Sequence, residues 1–256
     1  MHKSFPTRGP RAVLVRMRNP YSETTCHRLL TTGAALITIT LALTLAPGAR
    51  AGLVESGGHW PRSDREAAKM VHRSSWERRA DNDSANHTIP TRAQLRAFHA
   101  QRLTSYAQNV TGHYTGTTDE IIQWAAHKWG FNPQLFRAVA AVESWWHMSV
   151  VGNSGTSFGL FQVREPYHCQ GQSCYLMSHY TAFNADYYGA MLRSYYSGRE
   201  TWLNTVSGNG SPYRAHDLWG SVGFWSAGHW HVPVGAAYVA RVKAYLSQQV
   251  WLGRWF

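Results

Sequence analysis

Phe136-Arg137-Ala138-Val139-Ala140-Ala141-Val142-Glu143-Ser144-Trp145-Trp146 decides how the chain is read. At helical spacing Phe136, Val139, Glu143 and Trp146 fall on one face. Apart from Glu143 that face is apolar, so a lone carboxyl points toward the core. Burial disfavours the charged form and raises a carboxyl's pKa. A carboxyl still protonated near neutral pH can act as a general acid. The competing reading is a structural Glu tied to an Arg or to a helix N-terminus.

Further helices flank this stretch. Thr117-Thr118-Asp119-Glu120 has the form of a capping box. Ile121, Ile122, Trp124, Ala125 and Trp129 give the helix that follows an apolar side, and Gly130 is placed to end it. Asn132-Pro133 supplies a cap and a first-turn proline for the Glu143 helix. Gly152, Gly155 and Gly159 break up the loop after it. Leu176 to Tyr196 reads as one further helix, and Ala236 to Trp251 as a closing one. Alternating strand patterns are scarce, so the expected fold class is mainly α.

Four segments in order carry a resemblance. They are Glu143-Ser144, Gly159-Leu160-Phe161-Gln162, Trp225-Ser226-Ala227-Gly228 and Tyr238-Val239-Ala240-Arg241-Val242-Lys243-Ala244-Tyr245. In order and spacing the chain resembles the lysozyme-like lytic transglycosylases from about Thr117 to Leu246. The resemblance implies a lysozyme-like helical domain over residues 117–256 with an active-site cleft that holds a peptidoglycan glycan strand. It implies that Glu143 acts first as acid and then as base, cleaving the β-1,4 bond between N-acetylmuramic acid and N-acetylglucosamine and leaving a 1,6-anhydro-muramoyl end. Ser144, Gln162, Trp225 and Ser226 are then expected to contact substrate. Tyr238 takes the place of a tyrosine whose hydroxyl contacts the acid. No cofactor and no metal are expected, and the protein is read as a monomer.

There are departures from the family pattern. Trp225 stands where the family has Tyr, Ser226 where it has Asn, and Tyr188 where a Gly follows the Asn matched by Asn184. A second carboxylate would suit a hydrolase, but Glu165, Asp186 and Asp217 stand in no motif and read as surface or capping acids. Two alternatives stay open: a lysozyme-like hydrolase, and a wall-binding module with a degenerate site.

The first 51 residues read as a secretory signal. Leu29 to Ala46 is uncharged and largely apolar, Arg16, Arg18 and Arg28 precede it, and Pro47-Gly48 breaks it before Ala49-Arg50-Ala51. Met17 is a second candidate start. An uncleaved membrane anchor is the rival reading. The protein is therefore expected outside the cytoplasm, secreted or associated with the cell envelope, and in contact with membrane only if the leader stays attached. Cys169 and Cys174 enclose a short loop that suits a disulfide in such a compartment. The formal charge of +11 includes seven Lys/Arg and one acid within residues 1–51, which leaves 18 basic and 13 acidic residues, or +5, beyond them. Mild basicity suits an anionic wall polymer, and export leaves nucleic acid out as a partner. Residues 52–116 are polar with weak periodicity and read as a tether carrying one or two marginal helices, too poor in apolar surface to fold alone. The content of 12 Trp and 13 Tyr suits rings stacked on sugars, Trp145, Trp146, Phe161, Tyr167 and Trp225 being nearest the motifs. The rival reading is an aromatic-rich core, to which most of the rings would belong. His229-Trp230-His231 reads as a polar loop.

Overall fold

The two central helices begin and end where their terminal side chains dictate. In the computed structural model, which describes residues 52–56 and 58–256, α4 (Thr118–Trp129) is opened by Thr117, whose hydroxyl accepts from the Glu120 amide while the Glu120 carboxylate reaches back. Gly130 closes it in the left-handed conformation, at φ 70°. Asn132 accepts from the Gln134 amide at 2.9 Å and Pro133 sits in the first turn of α5 (Pro133–Ser144). Before them come α1 (Asp64–Lys69), α2 (Asp83–Asn86) and α3 (Arg92–Gln101). After them come β1 (Val151–Gly152), β2 (Ser157–Phe158), β3 (Val163–Arg164), α6 (Gln172–His179), α7 (Thr181–Tyr196), α8 (Leu218–Ala227) and α9 (Pro233–Gln248). The strands form one antiparallel sheet in the order β1-β2-β3, with Val151 opposite Phe158 and Phe158 opposite Val163. The fold is mainly α, as the periodicity predicts.

α7 is the axis of the core. Its residues from Thr181 to Tyr195 are all buried, so no solvent face remains to give it an amphipathic signature. It packs on α4, where Gly189 admits the Trp129 ring: a Cβ at Gly189 would lie 2.2 Å from the Trp129 Cδ1. Gly189→Ala is therefore expected to lose about 1–3 kcal/mol by overpacking, measured as a lower urea midpoint at unchanged helix content. Trp124, Trp129, Trp146 and Trp230 are fully buried, which places many of the rings in the core.

Three expectations are corrected. The helix read over Leu176 to Tyr196 is two helices, because Tyr180 is extended (φ −129°, ψ 100°) and the chain turns there. Asp186 is a buried core acid rather than a surface or capping one: it accepts from Lys128 Nζ at 2.7 Å, Trp129 Nε1 at 2.7 Å and the amides of Thr111 and Gly112 at 2.8 and 2.9 Å. Residues 52–116 are not a tether. They belong with the helices to one unit spanning Ala49–Phe256. Ala67, Phe98 and Val110 are buried, and Phe98 meets Phe183 and Tyr187 edge-on. Asp64 reaches Lys128 Nζ at 2.7 Å, while Val54 bridges Phe131. The polarity of the segment misleads because Asn82 and Asn86 are buried and bonded inside.

The proposed leader lies outside the described residues. Among the described residues no helix is long and apolar enough to cross a membrane. Cys169 and Cys174 form a disulfide between the loop after β3 and α6.

Candidate active site

Glu143 lies one residue from the end of α5, where the helix runs into an unusual turn. Trp145 and Trp146 both have left-handed backbones, at φ 55° and 64°. That conformation costs a side-chain-bearing residue roughly 1–2 kcal/mol, so the turn needs outside support. Arg79 Nε donates to the Trp145 carbonyl at 2.8 Å, Asn82 Nδ2 to the Trp146 carbonyl at 2.7 Å, and the Met148 amide donates back to Asn82 Oδ1 at 2.7 Å. The Trp146 indole N–H donates to the Arg137 carbonyl at 2.9 Å. The segment before α3 thus holds the turn that fixes the end of the Glu143 helix.

Glu143 is half-buried and its carboxyl accepts a hydrogen bond from the Tyr238 hydroxyl on α9. Burial pushes its pKa up to about 7; the Tyr238 hydrogen bond, the Arg241 charge and the Trp225 indole pull the other way. Among the described residues no second carboxylate contributes to that shift. The Trp225 indole N–H also donates to the Phe161 carbonyl at 3.2 Å, so it bridges the acid and the Gly159–Gln162 segment. Tyr188 is close enough for the Glu143 charge to add to the burial that raises its phenol. Its ring stacks on Phe161 (centroids 4.3 Å apart, planes at 5°) and meets Trp225 edge-on. Its hydroxyl is buried with no hydrogen-bond partner.

The structure brings Glu143, Tyr238 and Trp225 together. Ser226, one residue on, is exposed and lines a cavity of about 500 Å³ that Trp225 also lines. Glu143 and Tyr238 do not line that cavity, so Trp225 is the residue common to both places. One expected substrate contact, Ser144, is corrected, and another, Gln162, has a structural task. Ser144 is buried and its hydroxyl donates to the Leu160 carbonyl at 2.8 Å, which uses it to fasten the next segment. Gln162 spends its amide N–H groups on the Val150 and Gly159 carbonyls, at 3.0 and 2.9 Å. Both help to build the loop.

Three residues gain roles that the sequence did not assign. Asn184 donates to the Phe158 and Met177 carbonyls at 3.0 and 2.8 Å and accepts from the Phe161 amide at 2.9 Å, pinning the β2 turn to α7. Its match to the family's Asn was the available signal. Tyr188 signalled itself only as a departure from that pattern. Glu200 lines the cavity and is buried, but an isolated acid beside Gly198-Arg199 reads as a loop residue. Asp217 caps α8 and pairs with His231 at 2.5 Å, and Glu165 is half-buried after β3. Among the described residues no group of three or more His, Cys, Asp or Glu is placed to hold a metal.

Comparison with family models, with curated proteins and with solved structures finds no match to this chain.

Removing the Tyr238 hydroxyl tests the pairing. A hydrogen bond to a charged group is worth about 1.5–3 kcal/mol, and this one favours the carboxylate. Tyr238→Phe is expected to raise the Glu143 pKa by about one to two units. In a pH titration by NMR of the labelled carboxyl, an unchanged midpoint would rule the pairing out.

Proposed function

We propose that this chain is a peptidoglycan lytic transglycosylase with a lysozyme-like catalytic domain. The observation that carries the reading is a single carboxyl, on half-buried Glu143, with its pKa raised to about 7 and a phenol donating to it. A group that must give a proton and then take one works best when its pKa lies near the ambient pH. Protonated Glu143 gives its proton to the glycosidic oxygen as the bond to the muramoyl C1 breaks. The resulting carboxylate accepts the proton of the same sugar's C6 hydroxyl, whose oxygen closes the 1,6-anhydro ring on C1. The nucleophile is tethered to the reacting sugar, so no activated water is needed.

The absence of any carboxylate coupled to Glu143 among the described residues favours this route over hydrolysis. In a retaining hydrolase the two carboxyl groups lie about 5–5.5 Å apart, near enough to shift one another. Exposed Ser226 and half-buried Trp225 offer a hydroxyl and a ring face to a sugar. Export to the cell envelope, a glycan strand as partner and a monomeric state belong to the same proposal.

Mass spectrometry of digested peptidoglycan tests it. Anhydro-muramoyl ends support the transglycosylase. Reducing ends would make the protein a hydrolase. Sedimentation with sacculi and no released muropeptides would make it a wall-binding module.

A further inference from the structure

The cavity beside Trp225 is lined by two opposite charges that form no ion pair among the described residues. Its volume of about 500 Å³ falls within the roughly 300–1,000 Å³ typical of small-ligand sites. Glu200 lines it and is only 8% exposed. Its carboxylate accepts from the Trp202 indole N–H at 2.7 Å, from Ser105 at 3.2 Å and from Ser194. All three donors are neutral. Among the described residues no lysine, arginine or histidine forms an ion pair with it. His168, in the same lining, is pushed down to about 4 by burial and is neutral at pH 7. The hydrogen bonds to Glu200 satisfy its oxygens and leave its charge without a counter-ion among the described residues.

Arg164 also lines the cavity, is exposed, and pairs with no carboxylate among the described residues. Its guanidinium lies 5.6 Å from the ring centre of Tyr167. Arg164 and Glu200 do not bind each other. Two rings at the site remain open to solvent: Trp202 is 50% exposed and Tyr167 69%.

We propose that this cavity binds an amino-acid zwitterion, with Glu200 meeting the ammonium, Trp202 and Tyr167 flanking it, and Arg164 taking the carboxylate. Aromatic faces beside a carboxylate suit an alkylammonium, and a guanidinium fork suits a carboxylate. A neutral sugar ring calls for neither charge. Taken with the glycan-cleaving function, on which this step rests, the ligand is the free zwitterionic end of a diamino acid in a wall stem peptide. Cross-linking turns that ammonium into a neutral amide. The site therefore selects strands whose stems are not cross-linked. Trp225 forms part of the cavity wall and touches Glu143, which puts the occupied site next to the acid.

Isothermal titration calorimetry on the full chain tests this with meso-diaminopimelic acid as the probe. Saturable binding in the millimolar range or tighter is expected. It should weaken at least about tenfold in Arg164→Ala, in Glu200→Gln, and for the wild type when the probe's amines are acetylated. Arg164 is exposed, so Arg164→Ala and the acetylated probe decide the matter even if Glu200→Gln unfolds. No saturable binding, or equal binding of the free and acetylated probes, overturns the proposal. Cleavage of peptide-free glycan strands is measured alongside. Cleavage without diaminopimelate binding sinks this site alone. Binding without cleavage sinks the glycan-cleaving reading and leaves the amino-acid site standing.

Discussion

Under the proposed mechanism Glu143→Gln is expected to lower glycan cleavage by at least about 10³-fold, because that mechanism gives one side chain both proton transfers and each contributes typically 10²–10⁴-fold. The amide keeps the size of the side chain and can still accept from Tyr238, so glycan binding should persist. Retained activity in muropeptide release would show that the acid lies elsewhere. The same substitution should show in stability. The carboxyl titrates at about 7 in the folded chain against 4.5 as the reference value. Between those values the native state holds a proton that the unfolded state has lost, so wild-type stability falls as pH rises from 4.5 through 7. The fall amounts to about 3 kcal/mol. Glu143→Gln lacks this titration. Denaturation at pH 4.5 and pH 8 should therefore show a pH-dependent loss in the wild type that the variant does not share. Parallel curves for the two proteins would count against a raised pKa.

The second large effect is structural. Asp186 is fully buried and its partner Lys128 nearly so, with Nζ and Oδ2 2.7 Å apart. Removing one member of such a pair leaves the other charge uncompensated, at a cost of about 3–5 kcal/mol. Asp186→Ala is expected to lose that much, a large share of the 5–15 kcal/mol that holds a typical domain. It also strips an acceptor from the Trp129 indole and from the Thr111 and Gly112 amides. Asp186→Asn keeps the shape and should lose less. An unfolding free energy from urea titration within about 1 kcal/mol of wild type for Asp186→Ala would show that Asp64, the other partner of Lys128, suffices.

The parts of this fold that could be read in advance rest on local chemistry. Thr117 with Glu120, Gly130, and Asn132 with Pro133 act within four residues of themselves, and each behaves as its type suggests. The break at Tyr180 has no glycine or proline to announce it. Asn82, Asn86 and Asp64 looked solvated because each has partners 32 to 66 positions away, in Thr118, Met148 and Lys128. The site divides in the same way. Glu143, Tyr238 and Trp225 were legible as motif residues that face one another. Ser144 and Gln162 share those motifs yet bond to backbone carbonyls of the loop. Gln162 takes a left-handed backbone at φ 50°, and no pattern of residue types foretells that.

The grip of Arg79 and Asn82 on the Trp145–Met148 turn has a practical side. A fragment cut to begin at Thr117, where the motifs start, would leave Lys128 without Asp64 and would free the two tryptophans that end the Glu143 helix. The smallest useful recombinant piece therefore opens near Leu53, whose carbonyl accepts from the Asn132 amide at 3.0 Å. Upstream polar sequence here is scaffolding for the acid, and trimming it would blunt the reagent before any assay began.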